Sequence, residues 1–290
     1  MKRLESPLYS LILPTYNAGA IAHRTWAEVQ RLLDSTSRRW EVLFVCDGCR
    51  DGSDQTLLDL AKKSGKNVRV LRSPSNRGKG HAVRRGLLRA HGDYRIFTDV
   101  DLAYPLDMVE SAADQLAAGH DVVIACRAHT ESEVLHSAGM ENYLRKRKLQ
   151  SSLFSNIART LLHISYRDPQ AGLKGLSAAA VTTMLPHIRC QGFGFDCELL
   201  VACRYFGIPV HEMPVRVIYD NVQSTTTLRS SLSMIGELMR IRRRWKHIAR
   251  HGLDKSILIT ASDVGAARRY HLRRQQRLQQ RLLQRELARS

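Results

Sequence analysis

Five short apolar runs, each closed by turn-forming residues and separated by segments at helical spacing, constrain this 290-residue chain more than any other feature. The runs are Leu8 to Leu13, Trp40 to Cys46, Val68 to Leu71, Tyr94 to Thr98 and Asp121 to Ala125, each of strand length and rich in branched or aromatic side chains. Between them, Ala22 to Leu33, a stretch through Leu57 and Leu60 to Gly65, Ala82 to His91 and Leu106 to Ala118 repeat apolar residues at the period of a helix. Strands alternating with helices predict an α/β domain whose open, largely parallel sheet is covered on both faces. Hydrophobic residues at 43% and charged residues at 25% supply a full core and exclude both a small disulfide scaffold and a disordered chain.

In an open sheet of this kind, ligands sit at the carboxyl ends of the strands. The first, second and fourth runs end in Pro14-Thr15-Tyr16-Asn17, Cys46-Asp47-Gly48 and Asp99-Val100-Asp101, so three polar clusters are expected on one edge. Asp99 and Asp101 stand two apart, a spacing that brings two carboxylates to one hard divalent cation and leaves the remaining coordination to diphosphate oxygens and water. A solvated turn would use the same residues. Asp47 suits the N–H edge of a uracil or guanine, or equally a turn before Gly48. Asn76-Arg77-Gly78-Lys79-Gly80 sets two glycines and two cations ahead of a helix, which fits a nucleotide phosphate as well as a plain helix start. Neither G-x-x-x-x-G-K nor G-x-G-x-x-G occurs there, so this is neither a Walker loop nor a dinucleotide fingerprint.

Further along come Cys126-Arg127, Asp168-Pro169-Gln170-Ala171-Gly172-Leu173-Lys174, Gly194-Phe195-Asp196-Cys197-Glu198-Leu199-Leu200 and Ile208-Pro209-Val210-His211-Glu212-Met213-Pro214-Val215. Together with the strand-end clusters, this ordered set resembles the family 2 glycosyltransferases of GT-A fold, and within them the polyprenyl-phosphate (dolichyl-phosphate-type) hexosyltransferases. The resemblance runs from about Leu8 to about Thr227. It departs from the family at Cys46 and Cys49, which stand for the first Asp and the Ser of D-D-G-S, and at Ala103, where some relatives supply a polar neighbour to the metal.

The resemblance implies a Rossmann-like GT-A domain over residues 1–227 and an inverting transfer from a nucleotide-diphosphate sugar, assisted by Mg²⁺ or Mn²⁺ at Asp99 and Asp101. Pro14, Tyr16, Asn17, Asp47, Lys79, Asp99, Gln170 and Lys174 would then bind the donor. Asp101 would be catalytic through the metal. Arg127 would sit near the acceptor, with Arg145 and Arg147 as further phosphate-binding candidates, although Arg145 to Lys148 also reads as the solvated face of a helix through Leu144, Leu149 and Leu153. An anionic lipid phosphate needs no strong base, whereas a hydroxyl acceptor would make Asp196 or Glu198 the natural one. With a phosphate acceptor, Glu198 would instead position the acceptor side. A sugar nucleotidyltransferase is disfavoured because its Gly-rich N-terminal phosphate loop is missing.

The net charge of +18 is concentrated at the end: residues 240–290 hold 15 Lys/Arg against 3 Asp/Glu, or +12. Residues 228–251 form an expected amphipathic helix that turns basic around Trp245, fit either for an anionic lipid interface or for packing on the core. Residues 252–290 read as a basic, partly helical tail. No DNA- or RNA-binding module accompanies this charge, so nucleic acid is not the expected partner. No run approaches the roughly 18 apolar residues of a spanning helix, and the first residues carry no signal-peptide core. The expectation is a cytoplasmic protein, at most peripheral on the cytoplasmic face of a membrane. Six cysteines are expected as reduced thiols, since Cys46-Asp47-Gly48-Cys49 lacks the second pair a structural zinc site would want.

Overall fold

A computed structural model describes residues 8–136, 141–219 and 228–253, with side chains described except at 141–149 and 228–233. The five expected runs are strands: β1 (Leu8–Thr15), β2 (Arg39–Asp47), β3 (Val68–Ser73), β4 (Tyr94–Phe97) and β5 (Val122–Ala125). The helices between them are α1 (Ala22–Ser35), α2 (Ser53–Ser64), α3 (Lys79–Arg89) and α4 (Leu106–Ala118). Then follow β6 (Glu133–His136), α5 (Glu141–Leu162), β7 (Lys174–Ser177), α6 (Ala178–Met184), α7 (Phe195–Phe206), β8 (Val210–Met213), β9 (Arg216–Tyr219) and α8 (Leu228–His251).

Seven strands form one sheet in the order β3-β2-β1-β4-β7-β5-β8, and β6 pairs with β9 separately. The sheet is parallel except for β7, which runs antiparallel between β4 and β5. That reversal has a functional consequence. The start of β7, not its end, lies at the carboxyl edge, so Lys174 pairs in register with Phe97 and arrives beside the turn that follows β4.

The period-two alternation of β1 explains how the two faces are filled. Tyr9, Leu11 and Leu13 enter one apolar cluster with Trp26, Trp40 and Phe44, under α1 and α4. Ile12 points the other way, into a cluster with Phe97, Phe195 and Leu200. On that same side Ser10 donates to buried Glu41 at 2.6 Å, which satisfies the one polar residue of the run.

α8 joins this second cluster through Leu238, Ile241, Trp245 and Ile248, the stripe at spacing three and four that the sequence offered either to lipid or to the core. The core takes it. A boundary at Thr227 and a tail over 254–290 lie outside the described residues.

Candidate active site

The β1 and β2 ends are laced together before any ligand arrives. Asn17 sits in the left-handed region at φ 47°, and its Oδ1 accepts from the Arg50 amide at 2.9 Å. Asp51 accepts from the Gly19 amide at 2.7 Å and from the Ser53 hydroxyl at 2.6 Å. Pro14 closes β1 half-buried, and Tyr16 stands out at 47% exposure, an aromatic face open at the edge of the sheet.

Asp47, at the end of β2, is buried and has both oxygens in use. Oδ2 accepts from the amides of Arg77 at 2.8 Å and Gly78 at 2.7 Å, and Oδ1 lies 3.1 Å from the His81 ring nitrogen. In this structure Asp47 therefore holds the 76–81 loop. Gly48 follows at φ 71°, and a Cβ there would run into the backbone of Ser75 and Asn76, so only glycine lets the two loops close together.

That loop delivers Lys79 into a line of alternating charges. The Lys79 ammonium lies 2.7 Å from Asp99 Oδ1 and 3.9 Å from Asp196 Oδ2; Asp196 Oδ1 in turn accepts from Lys174 Nζ at 2.8 Å. Lys174 is fully buried, and it also donates to the Ala171 carbonyl at 2.6 Å. Four elements build this line: Asp99 follows β4, Lys79 starts α3, Lys174 starts β7 and Asp196 lies in the first turn of α7. Burial alone would lower the Lys79 pKa, but Asp99 and then Asp196 outweigh it and hold the ammonium well above the usual lysine range. Gly172 presses against the other side of Asp99, where a Cβ would meet Oδ2 and the ring of Tyr104.

The line opens to solvent at Asp99, whose side chain is 40% exposed, and at Asp101 beyond it. Asp101 Oδ1 accepts from the Ala103 amide at 3.1 Å across a turn in which Leu102 adopts φ 52°. These two carboxylates are hard oxygen donors of the kind Mg²⁺ and Mn²⁺ prefer. Among the described residues no group of three or more His, Cys, Asp or Glu side chains could hold a metal by itself. Two carboxylates among the described residues fit a cation that also takes oxygens from a bound diphosphate and water.

Arg127 follows β5 and grips Asp168 as a fork, Nε to Oδ2 at 2.7 Å and Nη2 to Oδ1 at 2.8 Å, with Tyr219 Oη 3.4 Å from Nη1. Burial would raise the Asp168 carboxyl, but the Arg127 guanidinium outweighs it and keeps it below the usual carboxylate range. The fork expected to meet an acceptor phosphate is thus turned onto a protein carboxylate. Gln170 is half-buried on the segment leading to β7. Arg145 and Arg147 lie on α5, with side chains outside the described residues.

Glu198 corrects the sequence expectation. Its carboxylate is 1% exposed and accepts four hydrogen bonds: from the amides of Arg189 at 2.9 Å and Cys190 at 2.6 Å, from Trp245 Nε1 at 3.0 Å, and from the Arg244 guanidinium. A carboxylate so fully engaged and so deep ties α7 to α8 and to the 189–190 segment. Asp196 is likewise bound between two ammonium groups.

Sequence reasoning missed the α8 partners of this clamp, as well as His81 and Glu237. Glu237 accepts from the Gly194 amide at 2.7 Å, and Gln191 O accepts from the His81 amide at 3.0 Å, so α8 braces the segment that braces the 76–81 loop. All six cysteines are free thiols, as expected.

Known proteins resemble this chain in sequence and in fold. Residues 10–174 match the model of the family described as glycosyl transferase family 2. The dolichyl-phosphate beta-glucosyltransferase of Saccharomyces cerevisiae is 28% identical over 224 residues, covering 73% of this chain and 67% of that one. The Homo sapiens dolichyl-phosphate beta-glucosyltransferase is 28% identical over 248 residues, covering 81% of this chain and 75% of that one. Among solved structures, Mycobacterium tuberculosis glucosyl-3-phosphoglycerate synthase superposes with a TM-score of 0.57 at 19% identity, over 86% of this chain and 82% of that one. The same synthase, solved with Mn²⁺, uridine diphosphate and glucosyl-3-phosphoglycerate, gives 0.55 at 18% identity over 86% and 82%. At these identities the structural likeness establishes the fold.

Proposed function

The chain belongs to glycosyl transferase family 2 and is a glycosyltransferase of GT-A fold, and from that premise we propose that it moves a hexose from a nucleotide-diphosphate sugar onto a polyprenyl phosphate at the cytoplasmic face of a membrane. The observation that carries the proposal is the line Lys174–Asp196–Lys79–Asp99, which ends in exposed carboxylates at the carboxyl edge of the sheet. The dolichyl-phosphate glucosyltransferases among the relatives support the choice of acceptor.

The donor's pyrophosphate lies over Asp99 and Asp101, with Lys79 in reach of its oxygens and Tyr16 beside the nucleoside. Asp99 and Asp101 would hold Mg²⁺ or Mn²⁺, which when bound would neutralise charge developing on the diphosphate. The acceptor phosphate oxygen attacks the anomeric carbon on the face opposite the diphosphate. The carbon–oxygen bond to the diphosphate breaks with its electron pair on the leaving group, and the configuration inverts. A phosphate monoester with a second pKa of about 6 is already largely dianionic at neutral pH, so no proton has to be removed.

The state of the two candidate bases favours this acceptor over a hydroxyl. Glu198 is consumed by four donors and Asp196 by two ammonium groups, which leaves an alcohol without a protein base among the residues considered. Among the described residues no helix is long and apolar enough to cross a membrane.

The test is to incubate the full chain and Mn²⁺ with a panel of UDP- and GDP-sugars and a short polyprenyl phosphate, following nucleotide release and lipid-linked sugar together. Stoichiometric release and lipid product with inverted anomeric configuration are expected. Release with hydroxyl acceptors alone would overturn the acceptor assignment.

A further inference from the structure

The two faces of α8 are sharply divided. Inward go Leu238, Ile241, Trp245 and Ile248, together with Arg244 on Glu198 and Glu237, the only acidic residue of the helix, on the Gly194 amide. Outward stand Arg240, Arg242, Arg243, Lys246 and Arg250, all exposed and with no carboxylate partner among the described residues. Nothing in the folding of the helix calls for this charge, because the inner face alone docks it. Five cations along about three turns, none with a carboxylate partner among the described residues, repel one another, and anions brought by a partner relieve such a strip.

The strip has an apolar end. Ile235 and Met239 are 37% and 40% exposed on the turn before the cations, and Phe193 is 40% exposed on the segment that Glu237 holds through Gly194. Apolar side chains that open onto water next to a carboxylate-free cationic strip match the boundary of an anionic bilayer, where acyl chains and phosphates lie side by side. A nucleic-acid backbone would satisfy the cations and leave the apolar end in water.

We propose that the outward face of α8, from Ile235 to Arg250 and with Phe193 at its lip, is the surface through which this protein docks on an anionic lipid membrane. The choice of a lipid partner rests on the lipid-acceptor reading above, while the strip itself does not. The docked helix is the one whose inner face braces the 189–194 segment, and that segment braces the Lys79 loop through Gln191. Docking there presents the site's own framework to the surface that carries the acceptor.

The test uses the full chain without donor or acceptor, and vesicles of phosphatidylcholine alone or mixed with phosphatidylglycerol. The wild type is expected to co-sediment with the mixed vesicles and not with phosphatidylcholine. The triple variant Arg240→Gln/Arg243→Gln/Lys246→Gln is expected to lose about a hundredfold in partition at an unchanged melting temperature. Met239→Glu, which leaves every cation in place, is expected to weaken binding as well, and this distinguishes a lipid interface from simple charge attraction. Binding of the triple variant to the mixed vesicles at wild-type strength would overturn the proposal, as would binding of a duplex oligonucleotide without any binding of vesicles. Transfer to a short, water-soluble polyprenyl phosphate is measured separately in the absence of vesicles. The triple variant is expected to keep it; a wild type that docks but transfers nothing would sink the acceptor reading and leave the docking surface standing.

Discussion

Replacing Glu198 with alanine separates a clamp from a catalyst. The side chain is 1% exposed, and four donors converge on it from two places in the chain: the adjacent Arg189 and Cys190 amides, and the adjacent side chains of Arg244 and Trp245. Its loss leaves a guanidinium and three N–H groups facing an apolar cavity. Breaking a buried ion pair by removing one partner costs about 3–5 kcal/mol. At roughly 2–4 °C per kcal/mol for a chain of this size class, the melting temperature falls by about 6–20 °C. Glu198→Gln keeps the shape and one acceptor, so it falls by less. Urea denaturation followed by tryptophan fluorescence gives the stability, since Trp245 sits in the clamp. Turnover is measured in parallel at a temperature where the variant is still folded, and per folded molecule it is expected to stay within a few-fold of wild type. A variant of unchanged stability whose kcat drops a thousandfold would refute the clamp and restore Glu198 as a catalytic group.

Three further outcomes follow from the same geometry. Gly172→Ala drives a Cβ into Asp99 Oδ2 and is expected to raise the donor KM at fixed Mn²⁺ by at least about tenfold, read from initial rates; an unchanged KM would mean that Asp99 does not need its present position. Lys79→Met removes a resident cation 2.7 Å from Asp99, so Mn²⁺ affinity without nucleotide, measured by electron paramagnetic resonance, should rise by about tenfold while Lys79→Arg leaves it near wild type; equal or weaker affinity in the Met variant would show that the ammonium does not compete. The Asp168 carboxyl is held below its unfolded value of about 3.9, so its contribution to stability is complete above that value and is lost as pH falls through the folded one. Arg127→Met removes the lowering partner and leaves burial, which raises the carboxyl; the acid-unfolding midpoint is expected to move to higher pH, and an unmoved midpoint would contradict the pairing.

What the sequence made legible follows a physical rule. β1, β2 and β4 could be read because each is an apolar run with a turn residue at its end, and the edge they share then gathers Asn17, Asp47, Asp99 and Asp101. β7 could not. Lys-Gly-Leu-Ser has neither a run nor an alternation, and its strand character comes from two neighbours that pair with it from both sides. The motif alone therefore points to Lys174 and Gln170 in the sequence, and the structure shows Lys174 to be a strand residue carried to the site by an antiparallel reversal.

Glu198 shows the other limit. Two acids in the first turn of a helix look alike on paper, and the partners that make one of them structural, Arg244 and Trp245, lie 46 and 47 residues away. α8 is the same case at larger scale, because its apolar spacing is identical for lipid and for core, and only the neighbouring cluster decides. Its outward charge, by contrast, was plain in the composition.

The central claim, that the carboxylates at the sheet edge grip a diphosphate through a divalent cation, is tested most directly by calorimetric titration of UDP- and GDP-sugars into the wild type and into Asp101→Asn, each with Mn²⁺ and with EDTA. Heat of binding that appears with Mn²⁺, vanishes with EDTA and is reduced at least about tenfold in affinity by Asp101→Asn is the expected result. Donor binding of equal strength in all four titrations would contradict it.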